Sequence, residues 1–222
     1  MTTINGYEIH SYADLSGVDF SGQVLTGLSF YGCNLSGANL SGATCVSCDF
    51  QFANLDGANL SNADFTDSLF READLQHSMI DTTNFTRCDF KETDINGVTI
   101  KNTNFTDVNF FKTNLYGCAL IDNDFTNTTF NHVILECSLL ENQDFKFAGF
   151  SNTNLSRSNL NNSNFSGIEI TNCDLSEIDF SNSNLSFADL TGSKMLFSIL
   201  LNTILEGVDL SDLKEFRDNI QY

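Results

Sequence analysis

The chain contains no proline and few basic residues, with 10 lysines and arginines against 29 aspartates and glutamates. Without proline, every residue keeps a backbone N–H group for pairing, which suits extensive sheet structure. The net charge of −19 should repel nucleic acids and anionic membranes. The sequence therefore predicts no direct contact with either of them.

Motifs that carry chemistry are also missing. The chain has no glycine-rich phosphate loop and no calcium-binding Gly-Gly-x-Gly-x-Asp repeat. Cys45 and Cys48 are spaced like half of a zinc site, but no second pair and no histidine lies near them. We expect no metal and no cofactor. Seven cysteines, an odd number, together with the lack of a signal peptide predict a reducing cytoplasm.

What the sequence does contain is a period of five. From Leu15 to Leu210, forty consecutive positions at this spacing hold Leu, Phe, Ile, Met or, once, Cys45. Two residues before each of these centres stands a mostly small residue, such as Ala38, and the other three positions are polar. Helix and strand periods of 3.6 and 2 would drift against this spacing. The pattern predicts a chain that turns a corner every five residues and points two of the five side chains inward.

Phenylalanine reveals how many corners make one coil. Thirteen of the fifteen phenylalanine centres form two ladders with a spacing of twenty residues: Phe65, Phe85, Phe105, Phe125, Phe145 and Phe165, and Phe30, Phe50, Phe70, Phe90, Phe110, Phe130 and Phe150. A fixed period of this kind is typical of a solenoid, here with four corners per coil. Between residues 11 and 210 there are 25 acids and 8 bases, and none occupies an inward position. This agrees with the cost of burying an unpaired charge.

The triplets Ala38-Asn39-Leu40, Ala58-Asn59-Leu60, Ala63-Asp64-Phe65 and Ala188-Asp189-Leu190 match the motif Ala-(Asp/Asn)-Leu-x-x. The sequence resembles the pentapeptide repeat family over about nine-tenths of its length. The resemblance implies an all-β fold, a right-handed quadrilateral parallel β-helix (solenoid). About ten four-sided coils, at roughly 4.8 Å per coil, would make a rod about 48 Å long.

The ends of the chain depart from the repeat. Residues 1–12 lose the register and are predicted to form an N-terminal cap, with repeats over 13–210. Leu210, Leu213, Phe216 and Ile220 have helical spacing, and Asp212 and Glu215 fit a capping box. We predict a C-terminal capping helix over 211–222, within a single domain spanning 1–222.

Two groups of outward residues are candidate interaction surfaces. The first group lies in an irregular stretch, and its residues form either ordinary surface ion pairs or a surface that binds a partner: Leu69, Arg71, Met79, Lys91, Phe111, Tyr116, Ile134 and Leu139. The second is apolar, surrounds the last coil and predicts a homodimer joined at the C-terminal end: Phe187, Leu196, Phe197, Ile199, Leu201, Ile204, Leu213 and Phe216.

Catalysis is not expected. The histidines His10, His77 and His132 fall on different coils, and a nucleophile must touch its base. His77 and the outward Cys137 share a column but lie about 14 Å apart at the usual coil spacing. The sequence therefore predicts a protein that is not an enzyme.

Within the resembled family, one group comprises rod-shaped DNA mimics. They bind bacterial DNA gyrase and topoisomerase IV and protect them from quinolones or toxins. The resemblance therefore implies a non-catalytic protein-interaction rod, with DNA mimicry as its most concrete version. The alternative is a structural or effector-type scaffold that binds a regulatory or host protein through residues 69–147.

Overall fold

Backbone hydrogen bonds between residues twenty apart build the fold. The computed structural model describes residues 2–216, and of residues 212, 215 and 216 the backbone alone. Parallel bridges join each coil to the next, from Asp14 with Asn34 to Asn184 with Ile204. The bonds are short, as between the Leu35 N–H and the Asn54 carbonyl at 2.7 Å. The predicted parallel β-helix is confirmed, with twenty residues to a coil.

The corners of the coil are fixed by left-handed backbone. A positive φ recurs at every fifth residue from Tyr12 to Asn142 and again from Asn152 to Gly207, which makes four corners per coil. Glycine adopts this conformation freely, as at Gly17 with φ of 63°. Other residues hold it at a cost, and asparagine tolerates it best because its short amide can bond locally.

Between corners the chain is extended for only two or three residues. The parallel strands β3 (Ile80–Asp81), β4 (Thr99–Lys101) and β5 (Ala119–Ile121) form one sheet in that order. The parallel strands β6 (Thr129–Asn131), β7 (Gly149–Ser151) and β8 (Ile170–Thr171) form another. Elsewhere the same pairing continues as single bridges.

The two phenylalanine ladders form the centre of the core. All thirteen rings are buried, and neighbours within a ladder stack with centroids 4.6–5.5 Å apart. Rings of different ladders meet edge to face, as Phe85 and Phe90 do at 5.0 Å. Both arrangements are favourable for aromatic pairs.

The small inward residues do more than fill space. Their hydroxyl and thiol groups donate to carbonyl oxygens of the preceding coil, as Thr113 does to Phe90 at 2.6 Å and Cys88 to Phe65 at 2.9 Å. Six of the seven free cysteines are buried and only Cys137 is exposed. Burial raises the pKa of Cys118 to about 12, so this thiol is unreactive at neutral pH.

A β-hairpin covers the first coil. Strands β1 (Thr2–Ile4) and β2 (Tyr7–Ile9) pair antiparallel around a turn whose two residues both have positive φ, as two-residue hairpin turns prefer. Ile9 is buried, Ile4 packs against the core, and the Tyr7 ring lies 6.0 Å from that of Phe20. The apolar side chains of the hairpin therefore close this end of the core.

The helix predicted from residue 211 is wrong for the part of the chain that the structure describes. A single 3-10 turn, Leu210–Asp212, is followed by strand β10 (Glu215–Phe216), which pairs in parallel with β9 (Lys194–Met195). A short isolated helix is marginal in water, whereas β10 pairs with the part of the last coil's backbone edge that β9 forms. Residues 217–222, where the helix prediction continues, lie outside the described residues.

The core predicts a large difference between two Phe-to-Ala substitutions. Phe105 is 1% exposed and stacks on Phe85 and Phe125, each 5.5 Å away, whereas Phe147 is 63% exposed. Phe105→Ala should lower the free energy of unfolding by about 3–5 kcal/mol, since the stacked neighbours cannot close the cavity. Phe147→Ala, the matched control, should lower it by less than about 1 kcal/mol. Urea unfolding followed by circular dichroism measures both, and equal losses would contradict this register.

Candidate protein-interaction surfaces

More than half of the acidic residues between 11 and 210 have a structural task in the repeat. Of the 25 acids between residues 11 and 210, fourteen stand just before a centre. Thirteen of the fourteen accept a hydrogen bond from the backbone N–H two residues later. This local bond is the Asx turn, which leads the chain into the corner that follows. The exception is Glu169.

Asparagines on the next coil bind these same carboxylates. The Asn34 amide donates to Asp14 at 3.0 Å, and the Asn84 amide donates to Asp64 at 3.0 Å. At these positions an amide next to a carboxylate keeps like charges apart, whereas Asp74 pairs with Asp94 on the adjacent coil. The outer faces therefore carry ordered columns of fixed carboxylates rather than loose surface acids.

Hydrogen bonding keeps these carboxylates ionised. The side chain and backbone of Ser16 hold the pKa of Asp14 below its ordinary value, and Thr191 does the same for Asp189. The pKa of Asp19 is lowered by the backbone and hydroxyl of Ser21. In each case the bond favours the charged form.

Only four of the eight residues of the candidate partner surface lie close together. Arg71, Lys91 and Phe111 stand on adjacent coils in one column, with Leu69 beside Arg71 across a buried centre. Arg71 forms an ion pair with Asp89 at 2.6 Å, and the Lys91 ammonium lies 5.7 Å from the Phe111 ring centroid. Such exposed pairs contribute little to stability. This column is locally neutral within an acidic rod.

The other four residues of that group lie elsewhere on the coils. Met79 and Leu139 share a different column but are separated by three coils. Ile134 pairs with Asn114, two residues before Tyr116, and so belongs to a third region. All four are exposed, but they do not form one surface with the column of Arg71.

The apolar residues of the last coil form a more continuous feature. Five side chains exposed by 38–63%, here called the C-terminal belt, run along this coil and the one before it: Phe187, Phe197, Ile199, Leu201 and Ile204. Phe187 packs on Gly207, where an added Cβ would collide with the ring. Leu196 is half-buried. Leu213 is buried in the core rather than free for an interface, which corrects that prediction. The side chain of Phe216 lies outside the described residues.

Next to the belt, the backbone edge of the last coil is only partly paired among residues 2–216. The Ile204 N–H donates to the Ser183 carbonyl of the preceding coil, as equivalent residues of earlier coils do. Within the described residues, however, the N–H groups of Leu200 and Leu205 have no acceptor in a further coil. An unpaired edge beside exposed apolar side chains is typical of a surface that another chain covers.

The groups considered for catalysis do not come together. The His77 Nδ1 atom contacts Asp56 Oδ1 at 2.7 Å and is remote from Cys137. Among residues 2–216 there is no group of three or more His, Cys, Asp or Glu that could hold a metal ion. No helix in that same range is long and apolar enough to cross a membrane.

Family comparison agrees with the repeat geometry. A model described as pentapeptide repeat region matches residues 23–100. A model of pentapeptide repeats in eight copies matches residues 88–127, 124–162, 158–195 and 173–212. No curated protein matches the chain.

Solved structures with the same repeat include three of different origin. HetL, described as involved in heterocyst differentiation regulation in Nostoc sp. strain PCC 7120, is 19% identical, with 95% of this chain and 89% of HetL covered and a TM-score of 0.43. QnrB1, a plasmid-mediated fluoroquinolone resistance protein, is 23% identical, with 83% and 87% covered and a TM-score of 0.43. A protein of the Arabidopsis thaliana thylakoid lumen is 34% identical, with 44% and 65% covered and a TM-score of 0.25. Similarity at this level does not extend to partners or activity.

The lowered aspartate pKa values predict that the stability of the fold depends on pH. Carboxylates such as Asp14, Asp19 and Asp189 stabilise the fold above their ordinary pKa of 3.8, and this contribution is lost as pH falls through the lower native values. We expect the Tm to be nearly constant from pH 7 to 5 and to fall below about pH 4. Thermal unfolding in about 0.15 M salt, which screens charge repulsion beyond about 8 Å, measures this.

A matched variant isolates one turn. Asp19→Asn keeps an acceptor for Ser21 but cannot titrate, so its Tm should fall less steeply in acid than that of the unchanged chain. A Tm that rises on acidification would show that relief of charge repulsion outweighs the turn bonds.

Proposed function

We propose that this chain, which belongs to the pentapeptide repeat family, is a non-catalytic rod. It would bind another protein through its outer faces. The observation that carries the proposal is the ordered columns of carboxylates around a packed core. Their side chains are fixed by Asx turns before any partner arrives. A preorganised surface loses less conformational entropy on binding than a mobile one.

The most concrete version is mimicry of DNA towards DNA gyrase or topoisomerase IV. Between residues 11 and 210 the net charge is −17, which over about 48 Å is roughly one charge per 2.8 Å. Duplex DNA carries about one per 1.7 Å. The linear charge density of the rod is thus lower than that of DNA, but it has the same sign and the same order of magnitude. A surface that binds DNA would be attracted to it.

The rod is further proposed to act as a homodimer joined through the C-terminal belt. A two-fold contact lets one apolar patch cover itself, and it lies beside Leu200 and Leu205, whose N–H groups have no acceptor within the described part of the chain. Docking end to end keeps two bodies of charge −19 as far apart as possible. Six buried free thiols support a cytoplasmic location.

A supercoiling assay tests the mimicry. Micromolar protein should inhibit a bacterial DNA gyrase or protect it from a quinolone, and the effect should weaken with salt because it depends on charge. A variant with Asp107→Asn and Asp122→Asn, two outward acids that serve no Asx turn, should be less effective but equally stable. If neither inhibition nor protection appears at any concentration, mimicry is refuted. The rod would then be a scaffold for another protein, for which the column of Arg71 and Phe111 is the remaining candidate surface.

Light scattering tests the dimer. The unchanged chain should have the mass of two chains, and Phe197→Asp with Ile199→Asp should give a soluble monomer with an intact β-helix, because charges on the belt oppose its burial. Phe52→Asp is the control, since Phe52 is 44% exposed, within the range of the belt residues, and lies more than six coils before the belt. A mass of one chain for the unchanged protein would refute this assembly.

A further inference from the structure

One face of the rod is interrupted by a cleft. It has a volume of about 260 Å³ and opens where the outward column of Asn109 and Thr129 reaches Gly149. Gly149 lies in the extended strand β7, and a Cβ placed there would meet no atom within 4 Å. Neither backbone conformation nor crowding therefore requires glycine at this position. Its effect is to remove the side chain that neighbouring coils carry.

The acid next to this cleft behaves differently from the others. Glu169 follows Gly149 in the same column and lines the cleft. It is the one acid before a centre that makes no Asx turn, and within the described residues it forms no ion pair. Asp189 pairs with it on the next coil and adds a second negative charge nearby. The Glu169 carboxylate is thus free to bind a group in the cleft.

The remaining polar side chains of the cleft include one acceptor that is left without a partner. Asn131 lines it and has a buried side-chain oxygen without a hydrogen-bond partner in the described structure. The hydroxyls of Thr129 and Ser151 also face this region, and Thr129 already donates to Asn109. No lysine or arginine is among the described residues that line the cleft.

An aromatic ring closes one side. Phe111 lines the cleft and is half-buried. Its ring already attracts cations, with the ammonium groups of Lys91 and Lys112 at 5.7 and 5.4 Å from the centroid.

We propose that this cleft, called the Gly149 cleft, binds one cationic side chain of a partner protein, specifically an arginine. A guanidinium has several donors in a plane, which suits a free carboxylate, an unpaired amide oxygen and an aromatic wall. The volume is below the usual range of about 300–1,000 Å³ for small-molecule pockets, so a single side chain fits better than a cofactor-sized ligand. The charge of −19 steers cations towards the rod.

This inference rests on the proposed function only in that the rod binds a protein. It does not require that protein to be a topoisomerase. The cleft is therefore tested with a small probe, separately from the supercoiling assay, and either result can fail without the other.

The experiment is a titration of the full chain with N-acetyl-arginine amide, followed by amide NMR shifts. Shifts at Gly149 and Ser151 should saturate in the millimolar range, and the neutral citrulline analogue should leave them unchanged. Gly149→Asn restores a side chain common in these columns and should weaken binding at least about tenfold by filling the cleft. Glu169→Gln should weaken it about tenfold by removing the charge-assisted bond.

Glu8→Gln is the control, because it neutralises an exposed acid in the N-terminal hairpin and should leave the affinity unchanged. Unchanged binding in Gly149→Asn, despite a normal Tm, would overturn the proposal. So would shifts that spread evenly over the acidic faces without saturating at Gly149, since these indicate screening rather than a site. Equal binding of the citrulline analogue would show that the cationic charge is not recognised, and would also overturn it.

Discussion

The backbone hydrogen bonds between residues twenty apart are the constraint on which the rest of this structure depends. They stack each side chain on its counterpart in the next coil, so phenylalanine meets phenylalanine and polar residues meet polar residues. A slip of one residue would bring Asp64 to the buried place of Phe65. The cost of burying such a charge, repeated along the rod, makes the register unambiguous.

The same constraint explains how so acidic a sequence fits this fold. Many corners use a side-chain acceptor for a backbone N–H, and aspartate and asparagine both supply it. Much of the net charge is therefore a consequence of turn chemistry and does not by itself identify a DNA mimic. Positions that depart from the rule are more informative. Gly149 lacks the side chain found at this place in neighbouring coils, and Glu169 forms no Asx turn. The column of Arg71 places cations on an acidic face.

The two ends show what happens where the stacking neighbour is missing. At the first coil a hairpin brings Ile9 and Tyr7 over the core. At the last coil strand β10 pairs with the edge beside Met195, while the N–H groups of Leu200 and Leu205, next to the apolar belt, have no acceptor among the described residues. A protein of this architecture stays soluble only if such edges are covered, which is why the belt is proposed as an interface.

The sequence alone determined the repeat, the inward positions and the phenylalanine ladders, because burial and stacking act on a strict period that can be read directly. It did not determine the C-terminal structure. The helical spacing at Leu210 and Leu213 predicted a helix, whereas in the structure the chain pairs with β9. Nor did the sequence show that Thr113 or Cys88 links coils, or that Gly149 opens a cleft beside Glu169. These features depend on which atoms meet across coils twenty residues apart, and only the tertiary structure decides that.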